Sequence, residues 1–174
     1  MARLQDAAAS TGGCENPRHL RGSAEEAYRT FKRILIATDF SDLARFAVSQ
    51  GAALAQHHKA EMLLVHVIEN SWYAGTYGLG PVPMPDFEKE IRAAADARMA
   101  KLQAEAVPAG VSCRAIIREG TPWAEIAAAA TEEKADLIVV ATHGYTGIKH
   151  ALLGSQAERI VRAGTCSVLV VRPK

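Results

Sequence analysis

The 174-residue sequence has only three cysteines, Cys14, Cys113 and Cys166, odd in number and widely spaced. That excludes a disulfide framework and a metal knuckle, and a reducing cytoplasm is the simplest setting. Aromatic residues make up only 6% of the chain. The apolar content therefore rests on Ala, Val, Leu and Ile, a balance that suits strands alternating with small-residue helices. No apolar run approaches the roughly 20 residues a membrane span needs, and the N-terminus lacks the apolar core of a secretory signal. Net charge is nearly absent as well: 20 basic against 19 acidic residues leave +1, no field to draw nucleic acid or anionic lipid. These absences predict a soluble, cytoplasmic protein with neither nucleic acid nor membrane as a partner.

Residues 1–30 mix Ala, Ser, Gly and charges without a sustained apolar period, and read as a mobile extension with at most a short helix near Ala24 to Phe31. Residues 31–174 read as one domain of ordinary size. Arg33 to Thr38 is a short buried strand, and Leu43, Phe46, Ala47, Val48 and Leu54 set out an amphipathic helix. Met62 to Ile68 gives a second strand, and Phe87, Ile91, Ala94, Ala95, Met99 and Leu102 a long helix that stops before Pro108. Val111 to Ile117 alternates apolar and polar residues, the pattern of an edge strand. A helix around Trp123, Ile126, Ala127 and Ala130, a strand from Leu137 to Ala141, a helix from Ser155 and a strand from Ser167 to Val171 complete the chain. Strands alternating with helices in this way predict an α/β fold with an open parallel sheet covered on both faces. Such sheets bind ligands at the carboxyl ends of strands where the winding reverses.

The stretch with the most chemistry is Ala141 to Ser155, a glycine-bearing polar loop between the fourth strand and the helix in which Leu153, Ala157, Ile160 and Val161 recur at helical spacing. The first N–H groups of a helix have no partner within it, and their partial positive charge attracts an anion. Gly154 lets the backbone approach a ligand, and the Ser155 hydroxyl either donates to a phosphate oxygen or caps the helix. With the first and fourth strands as neighbours, Asp39 faces this loop across one crevice. Asp39 is equally a turn residue, and Ser41 a plausible helix cap.

At these residues the chain resembles the ATP-binding branch of the universal stress protein family, whose signature is Gly, two residues, Gly, nine residues, then Gly followed by Ser or Thr. Gly144 is the second glycine, Tyr145 to Leu153 the nine-residue gap and Gly154-Ser155 the closing pair. Counting instead from Gly147 ends at Ala157 and fails. Ala141 stands where the signature has its first glycine, the one departure. Ile36 to Ser41, Leu64 to Val67 and Glu119 to Pro122 resemble the family's first strand and turn, second strand and later turn, so the likeness covers about residues 31 to 172.

The resemblance implies a Rossmann-like five-stranded sheet in the order 3-2-1-4-5 and ATP, with or without Mg, as ligand. Carried over residue by residue, it implies that Ala37, Thr38 and Asp39 surround the adenosine, with Asp39 hydrogen-bonding the nucleoside and Val67 packing on adenine. Val140 and Ala141 would line the ribose side. His143, Gly144, Gly154, Ser155, Gln156 and Ala157 would contact the phosphates, largely through backbone N–H groups. It further implies a homodimer paired through Ser167 to Val171. The expected role is nucleotide-dependent stress response or regulation. A slow ATPase or self-phosphorylating enzyme, and a dimer module that has lost its nucleotide, are the alternatives. Catalysis is disfavoured because no Walker lysine and no second acid lies near the loop. His66 reads as structural, and the segment Ser71 to Pro85 as either a lid over the nucleotide or a variable surface loop.

Overall fold

The computed structural model describes residues 30–69, 85–142 and 154–172. In chain order these form β1 (Arg33–Ala37), α1 (Asp42–His58), β2 (Glu61–Ile68), α2 (Pro85–Ala106), β3 (Cys113–Glu119), α3 (Pro122–Glu132), β4 (Leu137–Ala141), α4 (Ser155–Ala163) and β5 (Ser167–Val171). The five strands make one sheet in the order β3-β2-β1-β4-β5, and every pairing is parallel. The expected strand order and α/β class are both present. The segments expected near Ala24, from Ser71 to Pro85 and from His143 to Leu153 fall outside the described residues, wholly or nearly so.

The central strands read as solid apolar runs because both of their faces are covered. On one face Ile34, Ile36, Met62, Leu64, Leu137 and Val139 pack against Ala47, Val48, Ala52 and Ala55 of α1 and Met99 and Leu102 of α2. On the other, Leu35, Leu63, Val65, Ile138 and Val140 pack against Ile126, Ala129 and Ala130 of α3 and Ala157 and Ile160 of α4. The two sets alternate along each strand, as a pleated backbone requires.

Small residues set the helix-to-sheet distance. The buried stripe of α1 is Ala44, Ala47, Val48, Gly51, Ala52 and Ala55, while the expected Leu43, Phe46 and Leu54 are not among its buried residues. A Cβ on Gly51 would stand 2.4 Å from Ile36 Cδ1, so any larger residue there would force the fully buried Ile36 side chain to move. The buried stripe of α2, Ala95, Met99 and Leu102, begins late, and Phe87 in its first turn is 46% exposed rather than inward. Likewise the buried residues of α4 are Ala157 and Ile160, and Val161, expected inward, is 47% exposed.

The strand expected at an edge, β3, is one edge, and β5 is the other. At the amino ends of the strands, Arg114 on β3 joins Glu61 and Glu133 at 2.6 Å each, and the Asp136 carboxylate accepts the Lys32 and Arg33 amides at 2.7 and 2.9 Å. These contacts tie that end of the sheet together and leave the carboxyl ends to form the crevice.

Candidate functional site

The winding direction reverses between β1 and β4, because β2 and β3 lie to one side of β1 and β4 and β5 to the other. The carboxyl ends of these two strands therefore bound the crevice in which a ligand of such a sheet sits.

After β1 the chain makes a tight turn whose polar groups are spent on backbone. The Thr38 amide donates to the Val65 carbonyl at 2.9 Å, the last backbone bond between β1 and β2. Thr38 Oγ1 accepts the Phe40 amide at 3.0 Å, Asp39 Oδ1 the Ser41 amide at 3.0 Å, and Ser41 Oγ the Ala44 amide at 3.2 Å. Ser41 is thus the N-cap of α1. Phe40 adopts φ +64°, a left-handed conformation that costs a non-glycine residue free energy unless its surroundings hold it. Both turn roles open in the sequence, Asp39 as an Asx turn and Ser41 as a cap, are observed.

After β4 the arrangement is the reverse. The Thr142 amide donates to Val171 at 3.0 Å, and the Gly154 amide donates to the Thr142 carbonyl at 2.7 Å, so the end of β4 and the start of α4 are joined directly at the crevice. Glu158 N–H to Gly154 C=O, at 2.9 Å, is a bond of the first turn of α4. The amides of Ser155, Gln156 and Ala157 precede it and have no acceptor within the helix. Gly154 is the N-cap, and among the described residues no side chain caps α4. Ser155 is therefore the first helical residue, and the capping role open to it in the sequence is not the one it takes.

The expected site residues fall into three groups. Ala37 and Val67 are partly buried on the α3/α4 side of the sheet, in the same cluster as Trp123. With Thr38 and Asp39 they form the β1/β2 end of the crevice. Val140 is buried on that same side and Ala141 packs on the opposite side, next to Val171 in register, so neither side chain is freely presented. Gly154, Ser155, Gln156 and Ala157 form the start of α4, where Ser155 and Gln156 are exposed and Ala157 is 3% exposed in the core. Ala157 can offer a ligand only its amide. His143 and Gly144 lie outside the described residues.

One contributor escaped sequence reading, and another was read only as structural. Thr142, 7% exposed, anchors both ends of the loop through its backbone. His66, read as structural, is so, and its contacts fall at the crevice: its Nδ1 lies 2.8 Å from the Thr38 carbonyl, and its ring packs on that of Phe40 with centroids 4.4 Å apart. Burial holds the His66 pKa below its ordinary value of 6.5, so the ring is neutral near pH 7 and Nδ1 is the donor to that carbonyl. The available signal was a polar residue directly after the apolar run Met62 to Val65. Burial raises the pKa of the Cys113 and Cys166 thiols, which leaves them poor nucleophiles. Among the described residues no three His, Cys, Asp or Glu side chains converge as metal ligands, and no helix is long and apolar enough to cross a membrane.

The sequence profile of the universal stress protein family matches residues 30–172. The chain belongs to the universal stress protein family. A universal stress protein from Thermus aquaticus is 38% identical over 148 residues, covering 82% of this chain and 99% of its own. Universal stress protein MJ0577 of Methanocaldococcus jannaschii is 32% identical over 157 residues, covering 83% and 96%. A solved structure of MJ0577 superposes with a TM-score of 0.73 at 29% identity, covering 84% of this chain and 99% of that one. A universal stress protein solved in complex with cAMP, at 22% identity and a TM-score of 0.58 over 82% and 98% of the two chains, shares the fold.

Proposed function

We propose that this universal stress protein binds ATP in the crevice between β1 and β4, and that the bound state is read by a partner or by the homodimer in a stress-response or regulatory role. The observation that carries the proposal is the uncapped start of α4, with three amides preceding its first intrahelical bond, opposite the self-capped turn that holds Asp39. The amides of Ser155, Gln156 and Ala157 suit the phosphates. Asp39 suits the nucleoside hydroxyls, and the partly buried Ala37 and Val67 the flat adenine. Thr38, Val140, Ala141, His143 and Gly144 complete the proposed lining. Mg, where present, arrives with the nucleotide. Family structures of this fold solved with cAMP or dAMP support an adenine nucleotide as the ligand class.

The nucleotide-binding unit is taken as residues 31–174, with residues 1–30 as an extension, working in the reducing cytoplasm that suits free Cys113 and Cys166. Pairing of two copies through β5 would cover Leu169, 38% exposed on an edge strand. Titration calorimetry of the purified protein with ATP tests the central reading: saturable binding is expected, and no heat of binding at millimolar ATP refutes it. Light scattering at micromolar concentration tests the dimer, and a monomer overturns it.

A further inference from the structure

We propose that His66 is a positioning residue for the nucleoside end of the site, acting through Thr38 and Phe40 and latched from outside by Arg98 of α2. The proposal rests on the nucleotide-binding reading above.

The strands β1 and β2 stay in register through Ala37 opposite Val65, and one further backbone bond, Thr38 N–H to Val65 C=O, closes the ladder. A continuing parallel ladder would next give the Thr38 carbonyl a backbone donor from β2. That carbonyl accepts the His66 imidazole instead, at 2.8 Å. The side chain thus replaces a rung where the pairing ends, two residues before Val67. The last residue of the joined segment, Thr38, is followed at once by Asp39, and His66 by Val67. One hydrogen bond therefore fixes the gap between the two residues proposed to hold the nucleoside.

The same ring secures the turn. Phe40, at φ +64°, contacts both the His66 ring, with centroids 4.4 Å apart, and the Arg98 guanidinium, 4.2 Å from its centroid. A cation over an aromatic face at that distance is attractive. Packing from both partners holds the left-handed residue in place, and with it the orientation of the preceding Asp39. Because Arg98 belongs to α2, a shift of that helix moves the support beneath Asp39.

The roles of bond and ring separate in two variants. His66→Asn keeps an N–H near the position of Nδ1 and loses the ring, while His66→Phe keeps a ring and loses the donor. ATP affinity is measured by calorimetry on each, beside a thermal melt that establishes folding. The expected result is about a tenfold weaker Kd for His66→Phe and at most about a threefold change for His66→Asn. A purely structural histidine would lower the melting temperature of both and leave the Kd of the folded protein unmoved. Wild-type affinity in His66→Phe overturns the proposal, and equal tenfold losses in both variants overturn the hydrogen-bond assignment. Absence of ATP binding in the wild type is a different result, which refutes the nucleotide reading itself. If His66→Phe does not fold, Arg98→Met carries the test: about a threefold weaker Kd is expected, and an unchanged Kd overturns the latch.

Discussion

Two helices begin at the crevice, and they begin in opposite ways. The start of α1 is closed by its own side chains: Ser41 Oγ takes the Ala44 amide, Asp39 Oδ1 the Ser41 amide, and Asp42 adds a carboxylate in the first turn. The start of α4 has a glycine at the cap and, among the described residues, no side-chain acceptor. Both helix ends carry the same partial positive charge. What differs is whether oxygen from the protein already occupies it. At α1 an anion would have to displace a cap and approach two carboxylates, so that end suits hydroxyl donors such as those of a ribose. At α4 the amides remain for an anion. The fold supplies two equivalent helix starts, and a few side chains leave one closed and the other open, the contrast on which the proposed sugar and phosphate ends rest.

Making α4 resemble α1 should have the largest effect. Gly154→Asp places a carboxylate where it can cap α4 and where a phosphate would otherwise lie. ATP affinity is expected to fall about 100-fold, or about 2.7 kcal/mol. The stability of the free protein should rise, by a few tenths to about 1 kcal/mol, from the cap and the helix dipole. Calorimetry and urea unfolding measure the two changes. An unaltered ATP affinity would mean that the start of α4 is not the phosphate end.

The next test contrasts the two serines. Ser41→Ala removes an observed cap and should cost about 1 kcal/mol of stability, with ATP affinity within about twofold. Ser155→Ala removes no cap, so unfolding free energy should stay within about 0.5 kcal/mol, while ATP affinity falls about fivefold through a lost hydroxyl donor. Equal stability losses in the two variants would show that Ser155 caps after all, and the distinction between the helix starts would fail.

Much of this division was legible in the residues. The apolar runs of β1, β2 and β4 announce strands covered on both faces, and the alternation from Val111 to Ile117 announces the β3 edge. Gly154-Ser155 before the helical spacing of Ala157, Ile160 and Val161 marked the α4 start before any geometry. Burial along the helices was less legible, because alanine carries it: Ala44 and Ala52 of α1 are buried while Leu43 and Phe46, expected inward, are only half-buried, although Ala95 of α2 is buried as expected. A hydrophobicity pattern cannot rank an alanine stripe against scattered larger side chains when the close approach at Gly51 decides the packing. Phe87 and Val161 fail for a related reason, since helical period gives a face but not how far along the helix that face meets the sheet. His66 was invisible as a functional residue because its role is to replace a backbone rung, and only the register of β1 on β2 reveals that.

The smallest expected effect concerns pH, and it isolates the sugar end. Burial lowers the His66 pKa below 6.5, Arg98 adds to the lowering, and the bond to the Thr38 carbonyl and the Asp39 charge oppose it. The unfolded chain therefore binds this proton more readily than the folded protein does, so stability rises with pH across the window. The contribution of a neutral His66 is complete above pH 6.5 and is lost as the pH falls from there through the lowered folded value. Glu133, held low by its hydrogen bonds to Arg114, acts in the same direction, but only as the pH falls below its ordinary 4.5, so the two windows are distinct. Urea midpoints measured at about pH 7.5 and about pH 5.5 should fall more for the wild type than for His66→Asn, which has no imidazole to protonate. Equal losses in the two proteins would assign the acid sensitivity elsewhere. A larger loss in the wild type would show that the turn after β1 is held by a ring that must stay neutral, whereas the amides at the α4 start have no proton to gain or lose in that range.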